Sequence, residues 1–197
     1  MKEIIPGIFT WEYYDFTKRY FFNGFYLRDG QVFIDPPKMD PYETMEIARL
    51  GAPKVIILTN KDHVRETEHY RNYFKTNPRV MINELDKPHV NIKIDRTFQD
   101  GDRLPGNMKA VHITGNKSPG ETALYFEKQK TILLGDALIG HPQGTLNLMP
   151  AEKYADVNKA KESLKILLNL DFKHVLVGDG THVLEGWRKV LEGFLSR

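Results

Sequence analysis

Apolar and polar positions change their period several times along this chain. Residues 19–28 (RYFFNGFYLR) and 31–35 (QVFID) are rich in β-branched and aromatic side chains. Asp29-Gly30 between them tolerates the positive φ of a two-residue turn, so the pair predicts a β-hairpin. Pro36-Pro37 stops the second strand. Asp40 then suits an N-cap and Pro41 the first helical position, predicting a helix to about Leu50. The apolar run 55–58 (VIIL) reads as a buried strand, followed by a polar loop and a helix over 65–75. Short strands are predicted at 80–82, 90–94, 108–113, 122–126 and 131–134. The longest helix is predicted over 151–168, where Val157, Ala160, Leu164 and Leu167 recur at helical spacing. A last strand at 174–177 and a helix over 184–195 close the chain.

Strands, αβα, a run of strands and a second αβα unit imply two mixed sheets packed together with helices outside, because strands buried on both faces need such cover. With 41% hydrophobic residues, 197 residues suffice for one substantial core, so residues 1–197 are expected to form one domain. No cysteine is present, which leaves His, Asp and Glu as metal donors and removes disulfides and thiol nucleophiles. The formal charge of +2 is spread along the chain without a basic footprint, so nucleic acid is not an expected partner. No signal-like or membrane-spanning apolar stretch is legible, and a cytoplasmic location with no membrane partner is expected. The oligomeric state is not legible.

Chemistry-bearing residues gather in four segments: TNKDHVR (59–65), GNKSPGE (115–121), LLGDAL (133–138) and VGDGTH (177–182). The first follows a buried strand and precedes a helix, where side chains converge at a sheet rim. Together the segments resemble the metallo-β-lactamase superfamily, and the resemblance extends to Asn23 and Asp35 in the N-terminal hairpin. It implies a four-layer αββα sandwich of the α/β class, glyoxalase II-like, with hydrolase chemistry. Aligned without a gap to the superfamily's THxHxDH motif, Thr59 is kept. Asn60 and Asp62 fall on the first two histidines, Val64 on the aspartate and Arg65 on the last histidine. Lys117 falls on the histidine of the GHTPG-like turn, Asp136 keeps the aspartate that bridges two metals, and Asp179 replaces the histidine of a GHG turn.

The resemblance therefore implies a degenerate, metal-poor site with Lys117 and Arg65 in the charge role of the metals. No resident cofactor is expected from it. Asp62, Lys117, Asp136, His63 and His182 are the candidate catalytic residues, the two histidines because imidazole titrates in the range of a general base. Asn60, Arg65, Ser118 and Asp179 are candidates for binding in the pocket. The expected ligand is a small, anionic molecule. Two alternatives stay open: a single-metal hydrolase with one divalent ion on Asp62, Asp136 and Asp179, and a non-catalytic binding or sensing module that keeps the fold. The aromatics Trp11, Tyr13 and Tyr14 are candidate pocket walls, and residues 140–149 a candidate rim.

Overall fold

The computed structural model describes residues 1–196. Twelve strands form two sheets. The first contains β1 (Lys2–Ile5), β2 (Ile8–Asp15), β3 (Tyr20–Leu27), β4 (Val32–Ile34), β5 (Val55–Leu58), β6 (Arg79–Asn83) and β7 (Arg96–Phe98), in that spatial order. Its β1 to β4 half is antiparallel, whereas β4 to β7 run parallel. The second sheet holds β8 (Arg103–Leu104), β9 (Met108–His112), β10 (Thr122–Phe126), β11 (Thr131–Leu134) and β12 (His174–Val177), ordered β12-β11-β10-β9-β8 with only β11 and β12 parallel.

Alternation explains the layering. On β5, Val55 and Ile57 enter the core between the sheets with Phe25, Leu124, Leu133 and Leu176, while Ile56 and Leu58 face the outer core under α1 (Pro41–Gly51) and α2 (Thr67–Tyr73). On the far side, Ile132, Leu134, Val175 and Val177 pack beneath α3 (Val157–Ser163) and α4 (Trp187–Leu195). The continuous apolar runs are thus strands buried on both faces, and the order is helix, sheet, sheet, helix.

Several expected elements differ. The N-terminal strands β1 and β2 are additional, with β2 pairing along all of β3. Residues 90–94 form no strand. The ladder to β6 starts only where Asp95 exchanges bonds with Val80, and Val90, Ile92 and Ile94 instead pack against the outer core from irregular backbone. The long helix over 151–168 is broken. A 3-10 turn (Ala151–Lys153) ends at buried Tyr154, and Asp156 caps a new start by accepting from the amides of Asn158 and Lys159. After α3 the chain tightens to 3-10 geometry over Leu164–Asn169, where the Ser163 hydroxyl donates to the Ala160 carbonyl. The helix expected over 65–75 begins later because Arg65 adopts φ +42°. That expected over 184–195 begins after Gly186 at φ +65°.

Candidate active site

The ends of β5, β11 and β12 and the loop before β10 converge at one edge of the sandwich. Asp35, at the end of β4, is fully buried and accepts from the Thr59 amide (2.8 Å) and hydroxyl (2.6 Å). Asn60 accepts from the Asp62 amide and opens a 3-10 turn, Lys61–His63. This turn decides which side chain faces inward. His63 points into the site, with Nδ1 2.8 Å from Asp35 Oδ2 and Nε2 3.2 Å from Asp136 Oδ1. Asp62 points to the rim, where its side chain is 38% exposed and meets Lys61 (3.2 Å) and Lys117 (3.1 Å).

The Lys117 ammonium reaches Asp136 Oδ2 at 2.5 Å and so bridges Asp136 and Asp62. Arg65 closes the other side. Its guanidinium donates to Asp179 Oδ1 (2.7 Å) and to the carbonyls of Asn23 (2.8 Å), Asp35 (2.9 Å) and Gly178 (3.3 Å), and it lies over the Phe22 ring. One side chain thus ties β3, the end of β4 and the loop after β12 together. The cluster sets Asp35, Asp62, Asp136 and Asp179 against Lys61, His63, Arg65 and Lys117, an even balance of charge.

Protonation follows from that balance. Burial and Arg65 oppose a charge on His63, but Asp35 and Asp136 outweigh them and raise it to about 10, so the ring is an imidazolium at neutral pH. In that form it offers a proton donor to the site. Burial lowers Lys117, yet Asp136 and Asp62 overcome this and raise it above its ordinary value. Asp136 is held well below the carboxylate range, His63 and Lys117 overcoming the cost of burial. Burial dominates at Asp179, which is raised despite His63 and Arg65.

Other candidates lie outside this group. His182 accepts from the Val177 amide through Nδ1 and packs on Phe25, a residue of the core between the sheets. Burial pushes it down to about 4, and it does not line the cavity. Asn60 and Ser118 are buried as loop braces. The Ser118 hydroxyl donates to Asp86 (2.6 Å) and accepts from the Lys61 amide (3.3 Å). Trp11 enters the outer core against Phe33, and neither Tyr13 nor Tyr14 lines the cavity. Tyr20 and Phe22 on β3 supply the aromatic wall instead, with Met149 from the expected rim segment.

Two buried acids escaped the sequence reading. Asp86 accepts from the amides of Lys61 and Gly120 and from Ser118, tying the loop after β5 to the loop before β10. Glu121 is fully buried beneath the Asp136 loop, accepting from the Ala137 amide (3.0 Å) through one oxygen while the other has no partner. Burial first, and Asp136 second, raise it well above its ordinary value. Its place directly after the Lys117-Ser118-Pro119-Gly120 landmark was the available signal.

The site opens into a cavity of about 580 Å³. Its floor is Asp62, His63, Arg65, Lys117, Asp136 and Asp179; Lys18, Lys61, Glu152 and Lys153 stand around it.

Two sheets packed between helices, with a polar site at the loop ends of their parallel strands, define the αββα sandwich class of folds. A profile of the metallo-beta-lactamase superfamily matches residues 1–196, and the chain belongs to that superfamily. No curated protein matches it in sequence. Among solved structures it is similar to TTHA1623 in a di-iron-bound form (22% identity, 95% of this chain, 97% of that chain, TM-score 0.70). It is also similar to a metallo-beta-lactamase from Pontibacter korlensis (19% identity, 99% and 96%, TM-score 0.76) and to the DIM-1 metallo-beta-lactamase (13% identity, 98% and 96%, TM-score 0.74). At these identities the likeness is one of fold.

A two-metal centre does not fit these residues. Donor atoms of His63, Asp136 and Asp179 lie within 4.8 Å of one another, which is one ligand set at most. Two of the three are already ion-paired to Arg65 or Lys117, and neither cation can ligate a metal while protonated. Among the described residues, no helix is long and apolar enough to cross a membrane.

Proposed function

We infer that this member of the superfamily holds a metal-poor site in which Lys117, Arg65 and His63 supply the positive charge that metal ions supply elsewhere, and that the cavity above it binds a small anionic molecule. One observation carries the reading: Asp62, Asp136 and Asp179 are each paired to a basic side chain, at 3.1, 2.5 and 2.7 Å. The floor therefore neither needs a metal for charge balance nor repels an anion strongly. Lys18 and Lys153 at the rim have no ion-pair partner among the described residues, whereas the only unpaired acid lining the cavity there is Glu152. The surplus at the mouth is positive.

Bound oxyanions would meet donors rather than bases, since His63 and Lys117 are both protonated at neutral pH. Such donors can stabilise negative charge developing on a carbonyl or phosphoryl oxygen. Isothermal titration with methyl phosphate at low salt tests the binding claim. Saturable binding is expected, unchanged by a chelator and weakened at least about fivefold by combined Lys18→Ala and Lys153→Ala changes, in line with charge-assisted contacts. Binding that appears only with added divalent metal, or none at all, would overturn it. A screen of esters, thioesters and phosphodiesters separates hydrolase from binding module, turnover abolished by Asp136→Asn marking the former.

A second reading has its own observation. The close approach of His63, Asp136 and Asp179 donors favours one hard divalent ion, with His63 in place of the Asp62 expected from sequence. Arg65 and Lys117 would first have to leave the carboxylates, so a metal titration compared with Lys117→Ala separates the two readings.

A further inference from the structure

We propose that the cavity's ligand is a flat, ring-bearing phosphate monoester, its ring lying along the Tyr20 and Phe22 wall and its phosphate at the lysines. This rests on the anion-binding reading and adds the substrate class. The space comes first: about 580 Å³ is far more than a free oxyanion fills, so an inorganic ion would leave most of the cavity to water. The second argument is the distribution of character. Polar pairs cover the floor, but one wall is largely apolar: Tyr20 and Phe22 meet edge to face with ring centroids 5.9 Å apart, and Met149 also lines the cavity.

These rings are fixed before any ligand arrives. Arg65 lies 4.9 Å over Phe22, and the Tyr20 ring packs against Phe22 and His141. Preorganised aromatic faces favour a flat partner, because a ring stacks without ordering flexible side chains. Lys18 and Lys153 come from two separate segments and line the same cavity, so a phosphate there meets cations from more than one element.

The experiment titrates the purified protein with phenyl phosphate, methyl phosphate and phenol. Phenyl phosphate is expected to bind about tenfold or more tighter than methyl phosphate, the usual scale of a ring–ring contact, and phenol more weakly than either ester. Tyr20→Leu should erase the preference for the phenyl ester over methyl phosphate, whereas Lys153→Ala should weaken both esters alike and keep that preference. Equal binding of the two esters would overturn the ring assignment and leave the anion reading standing. Failure of both esters to bind would overturn both.

Discussion

His63 shows how far one residue's position can depart from a motif. Counted along the superfamily pattern, it falls on a variable position, yet the 3-10 turn that Asn60 starts brings it between Asp35 and Asp136 and sends Asp62 to the rim. The ionisation of this group has a measurable signature. His63 is raised from 6.5 to about 10, so its ion pairs stabilise the fold fully below about pH 6.5, and that contribution is lost as pH rises toward 10. Buried Glu121, also raised, likewise loses its contribution as pH rises. Asp136 is depressed, so its share is present above its ordinary value of 3.8 and lost in acid. Urea unfolding followed from pH 2 to 10 should show stability falling in acid below about pH 3.8 and falling again as pH rises above about 6.5. Glu121→Gln, which keeps an acceptor for the Ala137 amide but cannot ionise, should leave the acid limb and make the alkaline fall shallower. Superimposable alkaline limbs would contradict the raised, buried carboxyl. Lys117, Arg65, Asp136 and Asp179 were legible as site residues because each occupies a landmark position. Glu121 and Asp86 were not, because their role comes from burial against loops distant in sequence.

Among the elements, those defined by strong local chemistry were legible: the Asp29-Gly30 hairpin, the Asp40-Pro41 helix start and the apolar strands β5, β11 and β12. Apolar spacing misled where a local contact interrupts it, as at the Asp156 cap that splits the expected long helix. The strand-end loops depend on close approach rather than on periodicity. A Cβ at Gly178, just past β12, would lie 2.8 Å from His63 Cε1. Gly178→Ala is therefore expected to push the ring from Asp136 and to cost about 1–3 kcal/mol, as overpacking of a tight interior does. Urea unfolding measures it, with the His63 imidazole resonances reporting the lost pairing. Unchanged stability with unchanged resonances would show that the loop does not hold this ring.

For the whole molecule, the superfamily frame is retained, and the proposed function places Lys117, Arg65 and His63 in it as the positive charge. The Asn23 side-chain Nδ2 donates to the carbonyls of Val177 and Gly180, and Arg65 joins the same loop, so the two sheets are fastened together at the site itself. Breaking a buried pair leaves an uncompensated charge and typically costs about 3–5 kcal/mol, which binds the site's chemistry to the stability of the sandwich. Arg65 and Lys117 are thus tied to the fold as well as to the cavity, and a metal entering the His63, Asp136 and Asp179 set would have to displace them. The most direct measurement is elemental analysis of the protein after incubation with zinc, iron or manganese, followed by mild chelation and desalting. Far less than one equivalent of any of these metals is predicted; stoichiometric metal that survives the chelator would contradict the replacement of metal by Lys117, Arg65 and His63.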